Sequence, residues 1–247
     1  MSNDRKLNDD QQQKLKILSG LELLDAVLIY AYAFWCEDTL TNTPILVNWQ
    51  SLGPLAKFNR SKWDQLYESN NDTAFGSLQS LAMLLDGLIS IQISSIESNN
   101  IYHKCLKLQK TRESLSLEEY GRKSMEVVEK SIEYHHKNER GQLMIMKSTQ
   151  KFPSTALKTR FPQTWAKGVN NKRVKFSEFS PEHINVDDGL SDNNGCFAYP
   201  LLEGGFNSRW WPHLVLFGRS ILDEFSDMND IQSFYKSKSR GYDKLKS

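Results

Sequence analysis

Between Leu15 and Asp38 the chain reads LKILSGLELLDAVLIYAYAFWCED, and few folds can absorb such a stretch. Ile17, Leu21, Leu24, Leu28, Ala31 and Trp35 recur three or four residues apart, the spacing of one helix face. Leu23, Val27, Tyr30 and Phe34 form a second row beside the first. A helix apolar on so much of its circumference belongs inside a bundle. Ala26 to Cys36 carries no charge, and Asp25 and Glu37 bracket it. A membrane span needs about 20 apolar residues, so this shorter run reads as a core helix. Any part of its wide apolar surface left uncovered would serve as a partner face.

The rest of the chain extends the helical pattern. Residues 1–13 are polar and are expected to fray. Thr43 and Pro44 have the form of an N-cap and a first helical residue, opening a short helix to Leu52. Gly53-Pro54 is expected to break it, with a further helix running to about Glu68. Thr73 to Ile96 predicts a second long helix, striped by Phe75, Leu78, Leu81, Leu85 and Leu88, with Gly76 and Gly87 permitting close helix contact. Ser98-Asn99-Asn100 should break or bend the chain before a resumption from Ile101 to Lys110. Ser116 and Glu119 have capping-box spacing and open a charged helix to about Asn138, the most exposed of the set. Its apolar points, Leu117, Tyr120, Val127, Val128 and Ile132, are sparse. Residues 143–146 fit a helix turn or a short strand. Phe161-Pro162-Gln163-Thr164-Trp165 begins another short helix. Residues 170–207 lack any sustained period and read as a long ordered loop, a feature usually tied to function. A final helix would follow Ser208 and place Trp211, Leu214, Phe217, Ile221 and Phe225 on one face.

The fold expectation is therefore mainly α. A single helical bundle would span residues 14–226, with the loop before its last helix and a basic polar tail over 227–247. Leu24, Leu28 and Trp35 are expected to pack against Leu81, Leu85 and Leu88 of the second long helix.

Chemistry is harder to find. His135 and His136 are adjacent, so on a helix they diverge by about 100° and do not converge on one ion. The HExxH and CxxC zinc patterns, the GxSxG elbow and the GxxxxGK[ST] phosphate loop do not occur. Cys105 lies two residues from His103, on a different helix face, and reads as a buried apolar side chain. Three widely spaced cysteines and a polar start without an apolar leader favour a reducing compartment, nucleus or cytoplasm. No enzyme activity, cofactor, metal or small-molecule substrate is expected, and no membrane.

Charge is more telling. The formal net charge is +1, so no overall field points to nucleic acid. Yet the charges from Lys151 to Lys175 are all positive, interleaved with Phe152, Phe161, Trp165 and Phe176. The charges from Glu178 to Glu203 are all negative. Either the two blocks fold together or are simply solvated, or Lys158, Arg160, Lys172, Arg173 and Lys175 bind a nucleic-acid backbone while the aromatics stack on bases. Lys172-Arg173-Val174-Lys175 also has the form of a nuclear-import run. A third expectation is a partner groove lined by Trp165, Tyr199 and Trp210, with Trp211 turned into the core.

Two stretches carry a family likeness. Leu23-Leu24-Asp25-Ala26 running to Phe34-Trp35-Cys36, with Phe161-Pro162-x-Thr164-Trp165, Tyr199-Pro200-Leu201, Gly218 and Leu222-x-Glu224-Phe225, resembles an uncharacterised fungal all-helical family. Its first helix is also similar to the C-terminal homology domain of super elongation complex scaffolds. The resemblance touches both ends of the chain and misses its middle. It implies a non-enzymatic module that binds a protein partner or forms a homodimer, in transcription, chromatin or meiotic recombination. It supplies no catalytic residues.

Overall fold

The computed structural model describes residues 9–151, 154–168, 197, 199 and 210–231. Among them are helices and no strand, so the mainly α architecture holds. The helices are α1 (Asp9–Thr41), α2 (Leu46–Asn70), α3 (Thr73–Lys110), α4 (Leu117–Lys151), α5 (Ser154–Arg160), α6 (Pro162–Gly168) and α7 (Trp210–Met228), with a 3₁₀ turn at Arg112–Ser114. Most of the expected loop over 170–207, the Ser208 cap and residues 232–247 lie outside the described residues. Helix α1 begins inside the polar N-terminal stretch, earlier than expected. At the other end Ile231 is still buried and its N–H donates to the Ser226 carbonyl at 3.0 Å, so the packed body outlasts residue 226.

Three breaks expected from sequence are bridged. Pro54 lies inside α2, which runs unbroken. Its ring is exposed, while Trp49, Leu52, Ala56, Asn59, Trp63 and Leu66 keep one buried row on both sides of it. Packing along that row outweighs one lost backbone bond. Ser98-Asn99-Asn100 likewise stays helical within α3, with Asn99 and Asn100 on the solvent side. The Leu143–Met146 run simply continues α4. Thr43 does not cap α2; Ile45 does, without a side-chain cap bond. The carboxylate of Asp38 takes that role, accepting from the Ile45 N–H at 2.8 Å and from the Trp49 indole at 2.7 Å. Asp72 caps α3 by accepting from the Ala74 N–H at 2.6 Å, and Asn71 before it takes a left-handed φ of 49°. Ser116 caps α4, accepting from the Glu119 N–H at 3.1 Å.

The core differs from expectation in who sits at its centre. Leu24, Leu28, Trp35, Leu81, Leu85 and Leu88 are all buried. However, α1 packs mainly on α2 and α7, while α3 packs on α2 and α4. The Leu28 side chain lies on Gly218 of α7, where an added Cβ would come within 2.7 Å of Leu28 Cδ1. Helix α1 keeps an exposed apolar edge at Leu15, Ile29, Tyr30 and Leu40. Helix α7 is the one buried nearly all round, from Trp210 through Ser226 with only Arg219 and Asp223 turned outward. Its Trp211 meets Trp49 at 5.0 Å between ring centroids, and its Phe225 meets Phe75 at 5.1 Å and Trp63 at 6.1 Å. Both α1 and α3 hold an 18-residue window apolar enough to cross a membrane. Half and two-thirds of those stretches are buried in the body (50% and 67%), as in the core helices of a globular fold.

Two outcomes follow from this packing. Leu28→Ala should cost about 2–5 kcal/mol in chemical denaturation, because its site against Gly218 is fully buried; an unchanged midpoint would mean the α1–α7 contact is misplaced. His213 on α7 is fully buried, and loss of solvation holds its pKa down, from 6.5 to about 4. The unfolded chain then binds a proton that the folded chain refuses. Stability should fall as pH drops from 6.5 towards about 4, by up to about 1.4 kcal/mol per unit, and this group should contribute no slope above that window. His213→Phe should flatten that slope relative to the native chain; equal slopes would refute the assignment.

Candidate interaction surface

The aromatic trio expected to line a groove is only partly assembled as a surface. Trp165 and Tyr199 meet edge-on at 5.6 Å, and Tyr199 continues to Phe217 of α7 at 6.2 Å. Phe197, fully buried, meets Phe217 at 5.4 Å and lies so close to Gly168 that a Cβ there would approach it within 2.9 Å. Trp210 is 4% exposed and packs edge-on against His213 at 5.9 Å, so it offers a partner little area. Trp211 turns into the core as expected. Helix α6 is itself clamped to α7: both carboxylate oxygens of Glu224 accept from backbone N–H groups, Gln163 at 3.0 Å and Thr164 at 2.8 Å. The arrangement around Trp165 and Tyr199 braces α6, Phe197 and Tyr199 against α7.

Of the basic candidates, Lys158 is exposed. Arg160 donates to the Thr73 carbonyl at 3.2 Å, in the first turn of α3, and so is partly spent on the fold. Lys151 is held by Gln79 at 3.0 Å and lies over the Tyr67 ring. Lys172, Arg173 and Lys175 fall outside the described residues. Cys105, read as buried, is exposed. Among the described residues no group of three or more His, Cys, Asp and Glu side chains is placed to hold a metal.

A different surface emerges from α3 and α4. The two helices cross backbone to backbone at Gly87 and Gly141, where a Cβ on either would come within 2.9 Å of the other's carbonyl oxygen. Gly87 was legible as a close-contact residue; Gly141 was not. Beside this crossing Arg60 of α2 reaches both Asp86 of α3, at 2.7 Å, and the Met144 sulfur of α4, at 2.7 Å. Burial pushes the Asp86 carboxyl up, opposed by Arg60, Arg140 and Lys57. Past Ile96 in α3, and before Gly141 in α4, no described residue is buried. The pair therefore extends as a two-helix arm about 20 Å beyond the core.

Along α4, Leu117, Met125, Val128, Ile132, Leu143 and Met146 are each 46–90% exposed. At about 100° per residue they fall within one arc of about 80°. The buried positions of this helix, Gly141, Met144 and Ser148, lie on the opposite side, towards α3. The stripe runs most of the length of a 35-residue helix, interrupted at His135 and Glu139. The sequence pattern marked Leu117, Val128 and Ile132 but not Met125, and the helix expected to end at Asn138 left Leu143 and Met146 unjoined to them. Family models, curated proteins and solved structures yield no match to this chain.

The brace reading of the aromatics gives a direct expectation. Trp210→Ala should destabilise the chain by about 3–5 kcal/mol, as for other buried tryptophans. A thermal melt that does not move would restore Trp210 as a surface anchor.

Proposed function

We propose that this chain is a non-enzymatic helical protein-interaction module whose working surface is the outer stripe of α4. The observation that supports it is the apolar row from Leu117 to Met146, lying opposite the face that α4 packs on α3. Scattered apolar residues on a surface are ordinary, but a row aligned along one helix face, broken here only at its middle by His135 and Glu139, is the form that helix-reading partners recognise. Six large side chains on a rigid rod present contact area at little ordering cost. In this reading the chain acts in the nucleus or cytoplasm, with Lys172-Arg173-Val174-Lys175 as its import run. Involvement in transcription, chromatin or meiotic recombination rests on the family resemblance alone.

Val128→Glu combined with Ile132→Glu tests the surface. Both side chains point to solvent, so the chain should stay folded by circular dichroism while bound proteins are lost in affinity purification read by mass spectrometry. Capture of the same proteins in the same amounts would overturn the reading.

A further inference from the structure

The stripe raises the question of what covers it, and the charges beside it answer. Residues 117–133 carry Glu118, Glu119, Glu126, Glu129 and Glu133 against Arg122, Lys123 and Lys130, a net of −2. Residues 134–151 carry Lys137, Arg140, Lys147 and Lys151 against Glu139, a net of +3 with histidines neutral. The N-terminal half of the rod is acidic and the C-terminal half basic.

The charges divide a second time by direction. Lys123 pairs with Glu119 at 2.8 Å, Lys130 with Glu126 at 2.6 Å, and Lys137 with Glu133 at 2.9 Å and Glu97 at 3.3 Å. These lie on the side of α4 turned towards α3. Glu118, Arg122, Glu129, Arg140 and Lys147 instead flank the apolar stripe, all along one edge by helical spacing. Among the described residues none of these five is in an ion pair, although Arg140 also acts at longer range on Asp86 and Arg122 on Glu119 and Glu126. The opposite edge is uncharged, with Ser124, Ser131, Gln142 and Thr149.

We infer that the stripe is covered by the α4 of a second copy of this chain, running antiparallel. This rests on the interaction-module reading and names its occupant. In an antiparallel helix pair like edges meet in reverse order, so the charged edge of one copy meets the same edge of the other, acidic half on basic half. A parallel pair would set each charged edge against an uncharged one and like halves together. A register that lays Met125 and Val128 of one copy against Met146 and Leu143 of the other brings Glu129 beside Arg140. It also brings Glu118 beside the turn from Lys147 to Lys151. Arg122 then faces Lys147, the like-charged approach in this register, and Glu139 falls opposite Ile132, about one turn from His135 and His136 of the second copy. The rod is about 52 Å long, enough for the roughly 800 Å² per partner that a standard stable interface buries.

Sedimentation equilibrium of the full chain at tens of micromolar tests this. The native chain should weigh twice 28.5 kDa, and Val128→Glu with Ile132→Glu should return it to 28.5 kDa with its helical circular dichroism kept and a melt that no longer depends on protein concentration. Glu129→Arg and Arg140→Glu should each weaken self-association about fivefold, and the two together in one chain should restore it. A native chain that stays monomeric at low salt overturns the inference, as does a dimer indifferent to the double glutamate variant. A dimer broken by that variant but not restored by the paired charge reversal overturns the antiparallel arrangement. The two readings fail separately. A monomer whose stripe variant still loses captured proteins removes self-pairing and keeps the interaction module. A stripe-dependent dimer whose variant captures the same proteins keeps self-pairing and removes other partners from this face.

Discussion

The body of this protein depends on the insertion of α7 among helices that precede it by more than a hundred residues. Aromatic side chains make that contact: Trp211 on Trp49, and Phe225 on both Trp63 and Phe75. The two Phe225 pairs are edge-to-face and the tryptophan pair is tilted, and aromatic pairs of this kind contribute about 0.5–1.5 kcal/mol each beyond the area they bury. Gly218 lets α1 come close through Leu28, and Arg219 adds an ion pair to Asp25 at 3.0 Å. Glu224 then fixes α6 from the same helix. One element thus ties α1, α2, α3 and α6 together, and it is the last helix of the described chain. Closing the core over so long a separation costs chain entropy that only a helix buried on nearly every side returns.

Helical class, the two long apolar helices and the buried set were legible because their periodicity is long and regular. The relative places of α1 and α7 were not. Both are apolar over most of their circumference, and periodicity says how much surface a helix must hide, not against which neighbour. Pro54 and Asn99-Asn100 were misread as breaks because their local preferences are sound. Pro54 sits on the solvent face of a helix buried on its other face, and that burial exceeds a local penalty of this size, whereas Asn99 and Asn100 lie in the arm, where α4 runs alongside α3. The Thr43-Pro44 signal failed differently. Its role passed to Asp38, seven residues before Ile45 and across a turn, where no local pattern points.

The candidate site was less legible than the fold. Attention to Trp165, Tyr199 and Trp210 followed a sound rule about interface anchors, yet large aromatics are also what a core closes on. Their ring contacts run inward, to Phe217 and His213. The α4 stripe was visible in fragments. Leu117, Val128 and Ile132 read as sparse points because the helix was ended at Asn138. Carried through to Lys151, the same spacing picks up Leu143 and Met146, and a scatter becomes a row. Apart from Met125, which was passed over inside the expected helix, the error lay in a boundary, and boundaries are where sequence patterns are weakest.

The crossing of Gly87 and Gly141 divides the molecule mechanically. There the two backbones touch with no side chain between them, and the Arg60 link to Asp86 and Met144 grips the same level. It is a fulcrum, with the aromatic body on one side and a free lever on the other. A lever anchored in this way can gain or lose paired helical turns at its tip without changing any contact in the body. Its reach is therefore open to variation, while its point of attachment is not.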